Sequence, residues 1–184
     1  MTYEEICSKV DEVRRLHHED DPFRLIRSMG IVPIFRPMGT DPDSIKGFFM
    51  ECNRIKMIVI NNDMPDMIQR IIAAHEIGHA VMHYSPGVHA FHDIGLFDES
   101  TACEKEANLF AAEYLLDDDD VFETLNADHT FFSAAAVLKV PIELLDFKFR
   151  IMKWRGYKLY APIEARSNFL RDLEVPYNAD YHVC

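Results

Sequence analysis

Residues 71–83 read Ile71-Ile72-Ala73-Ala74-His75-Glu76-Ile77-Gly78-His79-Ala80-Val81-Met82-His83. The run is apolar enough for a protein interior, yet it carries three imidazoles and a carboxylate. Such groups are costly to bury without partners, so their presence needs a reason. His75 and His79 are four residues apart. On a helix this spacing puts both rings on one face, about 6 Å apart along the axis, where two nitrogens can take two corners of a zinc tetrahedron. Glu76, one step round from His75, can reach a water at an open metal position and take its proton. The metal lowers the pKa of that water and polarises a carbonyl. HExxH is therefore a mechanism as well as a string. The plainer alternative is an amphipathic helix whose histidines are only hydrogen-bonded. A place mid-helix, after a sheet and among Ile71, Ile72, Ala74, Ile77, Val81 and Met82, favours the metal.

His83 continues the series but lies about 12 Å along the axis from His75, too far to share one zinc whose ligands stand about 2 Å away. It falls to a structural or helix-end role, where the dipole favours it. The longer pattern HExxHxxGxxH also fails, because Met82 and Ser85 stand where its glycine and third histidine would be. The third ligand must come from elsewhere. Candidates are His89 and His92 in the following glycine-containing stretch, and Glu104 and Glu106 beyond it. Over 101–116 the spacing predicts a helix on which Glu104, Ala107, Asn108, Ala111 and Leu115 share one small and apolar face. A carboxylate on that face needs a partner, and the alanines permit close approach of a second helix. Glu104 is thus the first choice and Glu106, which points away and reads as solvated, the second. Asn108, one turn after Glu104, can orient a ligand from behind.

Around this pair the chain reads as α+β. Ile6, Val10, Val13 and Leu16 predict an opening helix over 2–17, and a shorter one spans 22–28, ended by Gly30. Residues 31–37 read as a short strand that Pro33 confines to an edge or a strand start. Residues 46–62 read as two strands turning at Cys52-Asn53, giving a small antiparallel sheet. Asn62 or Asp63 can cap the motif helix, which runs to about Tyr84, and 85–100 reads as a loop. After the acidic run 117–120, read first as a solvated loop, helices are expected around 130–139, 141–153 and 163–173. The expectation is one domain over 1–184, with its core at about 20–120 and a helical C-terminal extension over 121–184.

Composition narrows the function. Hydrophobic residues make up 48% and charged residues 27%, a balance that fills a core. The net charge of -12, from 31 acidic and 19 basic side chains, repels phosphate backbones, so no direct nucleic-acid binding is expected. Lys148, Arg150, Lys153, Arg155 and Lys158 recur at the spacing of a solvated helix flank. No run reaches the roughly 18 apolar residues of a membrane span, and the N-terminus is not a signal peptide. Cys7, Cys52, Cys103 and Cys184 form no CxxC pair, which fits a reducing cytoplasm. The first three read as small buried hydrophobes.

"HEIGH" at 75–79 followed by "EKEANLFAAEYLL" at 104–116 resembles the ImmA/IrrE family of zinc metallopeptidases, whose pattern is HExxH and then E-x-E/Q-A-N-x-F-A-x-x-L-L. The likeness covers about 20–120. It implies a minimal gluzincin-like fold, one zinc ion and, by position, Glu104 as third ligand. It also implies an anti-repressor: a peptidase acting on a helix-turn-helix repressor, often one encoded on the same phage or mobile element. The sheet edge near 46–51 is where such a substrate would add as an extended strand. The family commonly ends its second motif with Met-Pro, whereas here Asp117 to Asp120 follow. Residues 131–152 resemble a helix-turn-helix in outline, but with this charge they read as a packing unit of the peptidase. Tyr84, His89 and His92 are candidates for oxyanion stabilisation. A regulator that binds its repressor without hydrolysis, with structural or no zinc, is the rival reading. The oligomeric state is left open.

Overall fold

The computed structural model describes residues 1–84, 90–93, 97, 99, 101–127 and 129–162. Helix starts follow caps written into the sequence. Thr2 and Glu5 form a capping box for α1 (Tyr3–His17), and Asp21 accepts from Arg24 N–H ahead of α2 (Pro22–Ser28). Thr101 caps α4 (Ala102–Leu115), Asp117 caps α5 (Asp118–Asn126) and Thr130 caps α6 (Phe131–Val137). The acidic run is thus a helix start and not the solvated loop expected. Its carboxylates sit where the helix dipole favours negative charge. The motif helix, α3 (Asp66–Met82), has Pro65 at its cap position and no side-chain cap. Of the two expected caps, Asp63 uses its carboxylate elsewhere, accepting from Gly39 N–H.

The fold is α+β, but its sheet is mixed. Strands β2 (Gly47–Cys52) and β3 (Ile55–Asn61) form the antiparallel hairpin, turned by Asn53 and Arg54, both with positive φ. That two-residue turn matches the twist of the strands. β1 (Val32–Arg36) pairs parallel to β3, and Pro33 lies on this edge strand. The parallel pairing needs residues 37–46 to cross from one side of β3 to the other, and Asn61 pins that crossing. Its Oδ1 accepts from Met38 N–H at 3.1 Å and Asp63 N–H at 3.0 Å, and its Nδ2 donates to Gly39 O at 2.7 Å and Ile45 O at 2.9 Å. Within the stretch read as a loop lies a short strand, β4 (Ala90–Asp93), antiparallel to β2 over Gly47–Met50. Four residues carry too little pattern to announce a strand; pairing with β2 makes them one. The order is β1-β3-β2-β4, so the edge near 46–51 expected to take a substrate is covered by β4.

α3 lies on the sheet, α4 packs on α3, and α1 and α7 (Ile142–Trp154) pack on α4. One apolar cluster runs through these layers from Ile6 to Met152. Gly78 allows the α3–α4 contact: a Cβ there would stand 3.2 Å from Ala107 Cα and from Phe110 Cβ. Of the basic residues expected on a solvated flank, Lys153 and Lys158 are exposed, but Lys148 and Arg150 turn inward. Lys148 is 1% exposed and bonds Glu113 at 2.7 Å and Asp118 at 2.6 Å, and Arg155 bonds both acids too. Arg150 pairs with Asp146 and Glu99. With Leu144, Leu145, Phe147, Phe149, Ile151 and Met152 also buried, α7 has no free face with which to read DNA. Cys7 is buried and Cys103 half-buried, but Cys52 is exposed beside the hairpin turn, where the sequence reading had buried it. The expected helix at 163–173 and Cys184 lie outside the described residues. Among those described, no helix is long and apolar enough to cross a membrane.

Two outcomes follow from this packing. A glycine-to-alanine change inside a helix ordinarily stabilises by up to about 1 kcal/mol. At Gly78 the obstructing atom is backbone, so α4 itself must move, and overpacking of this kind costs roughly 1–3 kcal/mol. Urea unfolding of Gly78→Ala should therefore show a net loss of stability. Glu143, 6% exposed, is pushed up to about 7 by burial, with a smaller contribution from Asp146. The folded state then holds that proton more tightly than the unfolded chain does. Stability is complete below the ordinary glutamate range and is lost as pH rises through about 7. Glu143→Gln stays neutral, so its melting temperature should match the native protein at acid pH and exceed it by a few degrees above neutrality.

Candidate metal centre

α3 turns His75 and His79 toward α4, and both are fully buried. Their Nε2 atoms stand 3.0 Å apart. From α4, Glu104 brings Oε2 to 3.2 Å from His75 Nε2 and Oε1 to 3.4 Å from His79 Nε2. One ligand atom from each of the three lies within 4.8 Å of the others, and no other such group occurs among the described residues. Glu104 occupies the first turn of α4, held there by Thr101 as cap, and is 8% exposed. The small face predicted for this helix is the one that packs inward: Ala107, Asn108 and Ala111 are fully buried beside it.

The rear nitrogens show what the front ones offer. His75 Nδ1 lies 2.9 Å from Asn108 Oδ1, an acceptor, so the proton is on Nδ1 and the Nε2 lone pair faces the centre. His79 Nδ1 lies 2.9 Å from His83 Nδ1, and His83 Nε2 lies 2.9 Å from Glu106 Oε2. A carboxylate only accepts, so in the neutral ring His83 Nε2 donates to it, leaving His83 Nδ1 to accept and His79 Nδ1 to donate. His79 Nε2 then also presents a lone pair. Two imidazole lone pairs and a carboxylate thus converge in a buried site. Glu104 Oε2, close as it is to His75, makes no hydrogen bond. Such a donor set is repulsive by itself and fits a borderline-soft divalent cation bound by nitrogen and oxygen.

Asn108 lies against the rear of His75, and Glu106 is not on the solvated side expected of it. Instead of facing solvent, its side chain is 13% exposed, on His83 and on the Met1 amino group. Burial by itself would raise the Glu106 carboxyl, but bonds from the Met1 amine and His83 hold it below the usual range. Burial lowers the His83 pKa, against the pull of Glu106. Tyr84 donates its hydroxyl to Glu51, which raises its pKa, and Lys56 Nζ lies 4.1 Å above its ring. An oxyanion role for Tyr84 would require that bond to open. His89 lies outside the described residues, and of His92 only its place in β4, paired with Phe48, is described.

Glu76 is 1% exposed and faces the sheet. A Cβ on Gly47 would stand 3.6 Å from Glu76 Oε1, and would collide with Ile72 Cγ2 at 2.4 Å and Val59 O at 2.9 Å. Gly47 therefore lets β2 close over the helix at the step that carries Glu76, a role the sequence reading missed. The signal was available: a glycine inside a strand pattern marks a close backbone approach.

This site lies wholly within the residues that match a known family. The Peptidase M78 model, the IrrE N-terminal-like domain, matches residues 26–150. The chain is also 35% identical over 104 residues to "Uncharacterized immunity region protein 2" of Bacillus phage phi105. That match takes in 56% of this chain and 65% of the phage protein, so the chain spans just under two thirds of that relative's length. With two thirds of its residues inside the family model, and its buried His-His-Glu cluster within them, the chain belongs to the ImmA/IrrE metallopeptidase family.

Proposed function

We propose that the protein is a zinc endopeptidase that cleaves a regulatory protein, a helix-turn-helix repressor of a phage or mobile element. The observation that carries this reading is the convergence of His75 Nε2, His79 Nε2 and the Glu104 carboxylate in a buried site, with Glu76 on the adjacent helix step. In this reading His75, His79 and Glu104 hold the ion, and Asn108 orients His75 from behind. Bound zinc would supply a Lewis acid for the scissile carbonyl and lower the pKa of the attacking water. Glu76 takes the proton of that water and passes it to the leaving amine. Burial of His75, Glu76 and His79 lowers the local dielectric, which strengthens each of these interactions.

The regulatory substrate is supported by the phage relative, whose name places it in an immunity region. An extended segment of the substrate would add to the outer edge of β4, since the far side of β2 is already paired. The negative charge of the chain suits a basic DNA-binding partner.

The metal and the reaction are tested separately. Zinc at about 100 times its dissociation constant should stabilise the native protein by about 2.7 kcal/mol, read as a rise in melting temperature. His79→Ala should lose that rise; an unchanged rise would sink the ligand assignment. Mixed with the repressor encoded beside it, the native protein should give discrete fragments. Glu76→Gln should bind zinc but cleave roughly 10²–10⁴-fold more slowly. Loss of repression without fragments would instead mark a regulator that acts by binding alone.

A further inference from the structure

We propose that His83 and Glu106 are positioning residues that fix the tautomer and ring orientation of His79 at the metal centre. This rests on the reading of His75, His79 and Glu104 as the ligand set. The relay is continuous: Glu106 Oε2 to His83 Nε2 at 2.9 Å, then His83 Nδ1 to His79 Nδ1 at 2.9 Å. The rings of His79 and His83 lie 5.0 Å apart and are tilted by 57°, so the bond is made edge to edge. Each link dictates the next. Glu106 can only accept, so the His83 proton is held on Nε2; His83 Nδ1 can then only accept, so the His79 proton is held on Nδ1. The His79 Nε2 lone pair is left pointing at His75 and Glu104, where the proposed ion would be held.

The geometry gives separate tasks to two features of the sequence. The histidine at 83, too distant to be a ligand, acts through the one at 79. The two glutamates of the E-x-E stretch serve successive turns of α3: Glu104 faces the His75–His79 pair and Glu106 reaches His83. His75 has Asn108 behind it, and His79 has the imidazole–carboxylate pair, so each candidate ligand is oriented by its own partner on α4 or through one.

The test is made on the full chain, with zinc itself as the probe. Dissociation constants are measured by competition with a chromophoric chelator for the native protein, His79→Ala, His83→Ala, Glu106→Ala, Glu106→Gln and the His83→Ala/Glu106→Ala double variant. His83→Ala and Glu106→Ala should each weaken zinc binding roughly 10–100-fold. The double variant should be no weaker than His83→Ala alone, because Glu106 acts through His83. Glu106→Gln keeps an acceptor and should remain within a few-fold of native. Additive losses, or unchanged affinity in both single variants, would overturn the relay. Should a variant fail to fold, nitrogen-15 spectra of the native zinc-loaded protein decide the matter without substitution. His83 carrying its proton on Nε2 supports the relay, and His83 protonated on Nδ1 refutes it. Native protein that binds no zinc, or undiminished binding by His79→Ala, would instead defeat the underlying metal-centre reading.

Discussion

Everything at the centre depends on how closely α3 and α4 approach. Gly78 meets Ala107 and Phe110 with no side chain between, and this contact sets the distance at which Glu104 faces His75 and His79. Carboxylate–imidazole geometry tolerates little slack, because metal–ligand bonds of about 2 Å fix the donor positions closely. The same economy of side-chain bulk recurs on the opposite side of α3. There Gly47 lets the sheet close on Ile72 and on the carboxylate of Glu76. Two glycines, one in a helix and one in a strand, thus hold the motif helix in a slot whose width neither wall could reach with a Cβ present.

Polar groups buried in this fold are treated in two ways. Most are satisfied within the chain. Asn61 uses both ends of its amide to hold the crossing that makes β1 parallel to β3, and Lys148 is held between Glu113 and Asp118 where α7 meets α4 and α5. Lone buried charges would be costly, so these networks offset burial with charge-assisted bonds. The His75–His79–Glu104 cluster differs. Its rear atoms are satisfied by Asn108 and His83, while its front atoms are all acceptors aimed at one point. This difference in bonding marks the cluster as the candidate metal centre.

Much of this was legible in the chain itself. The motif helix, the 102–115 helix with its inward face, the hairpin and the short edge strand all follow from spacing, caps and proline. Asn108 could be expected near the ligands because one helical turn separates it from Glu104, but only the fold sets it behind His75. What was misread depended on distant partners. Glu106 looked solvated because two residues from Glu104 is the far side of a helix; a long side chain and the end of α3 bring it to His83. Lys148 and Arg150 looked like part of a wet flank because partners such as Glu113 and Glu99 lie 35 and 51 residues away in the chain. The strand at 90–93 is too short to be recognised without β2 beside it.

Sequence by itself determined the chemistry: two imidazoles four residues apart, a neighbouring carboxylate, and a second helix with a glutamate on a small face. Those are local facts, set by the 3.6-residue period and by which side chains can donate an electron pair. Only the tertiary structure decided which glutamate faces the pair, which proton each histidine keeps, and that β2 is paired on both sides. These are relations between elements far apart in the chain. They are settled by steric fit at Gly78 and Gly47 and by hydrogen bonds that exist only once the elements meet.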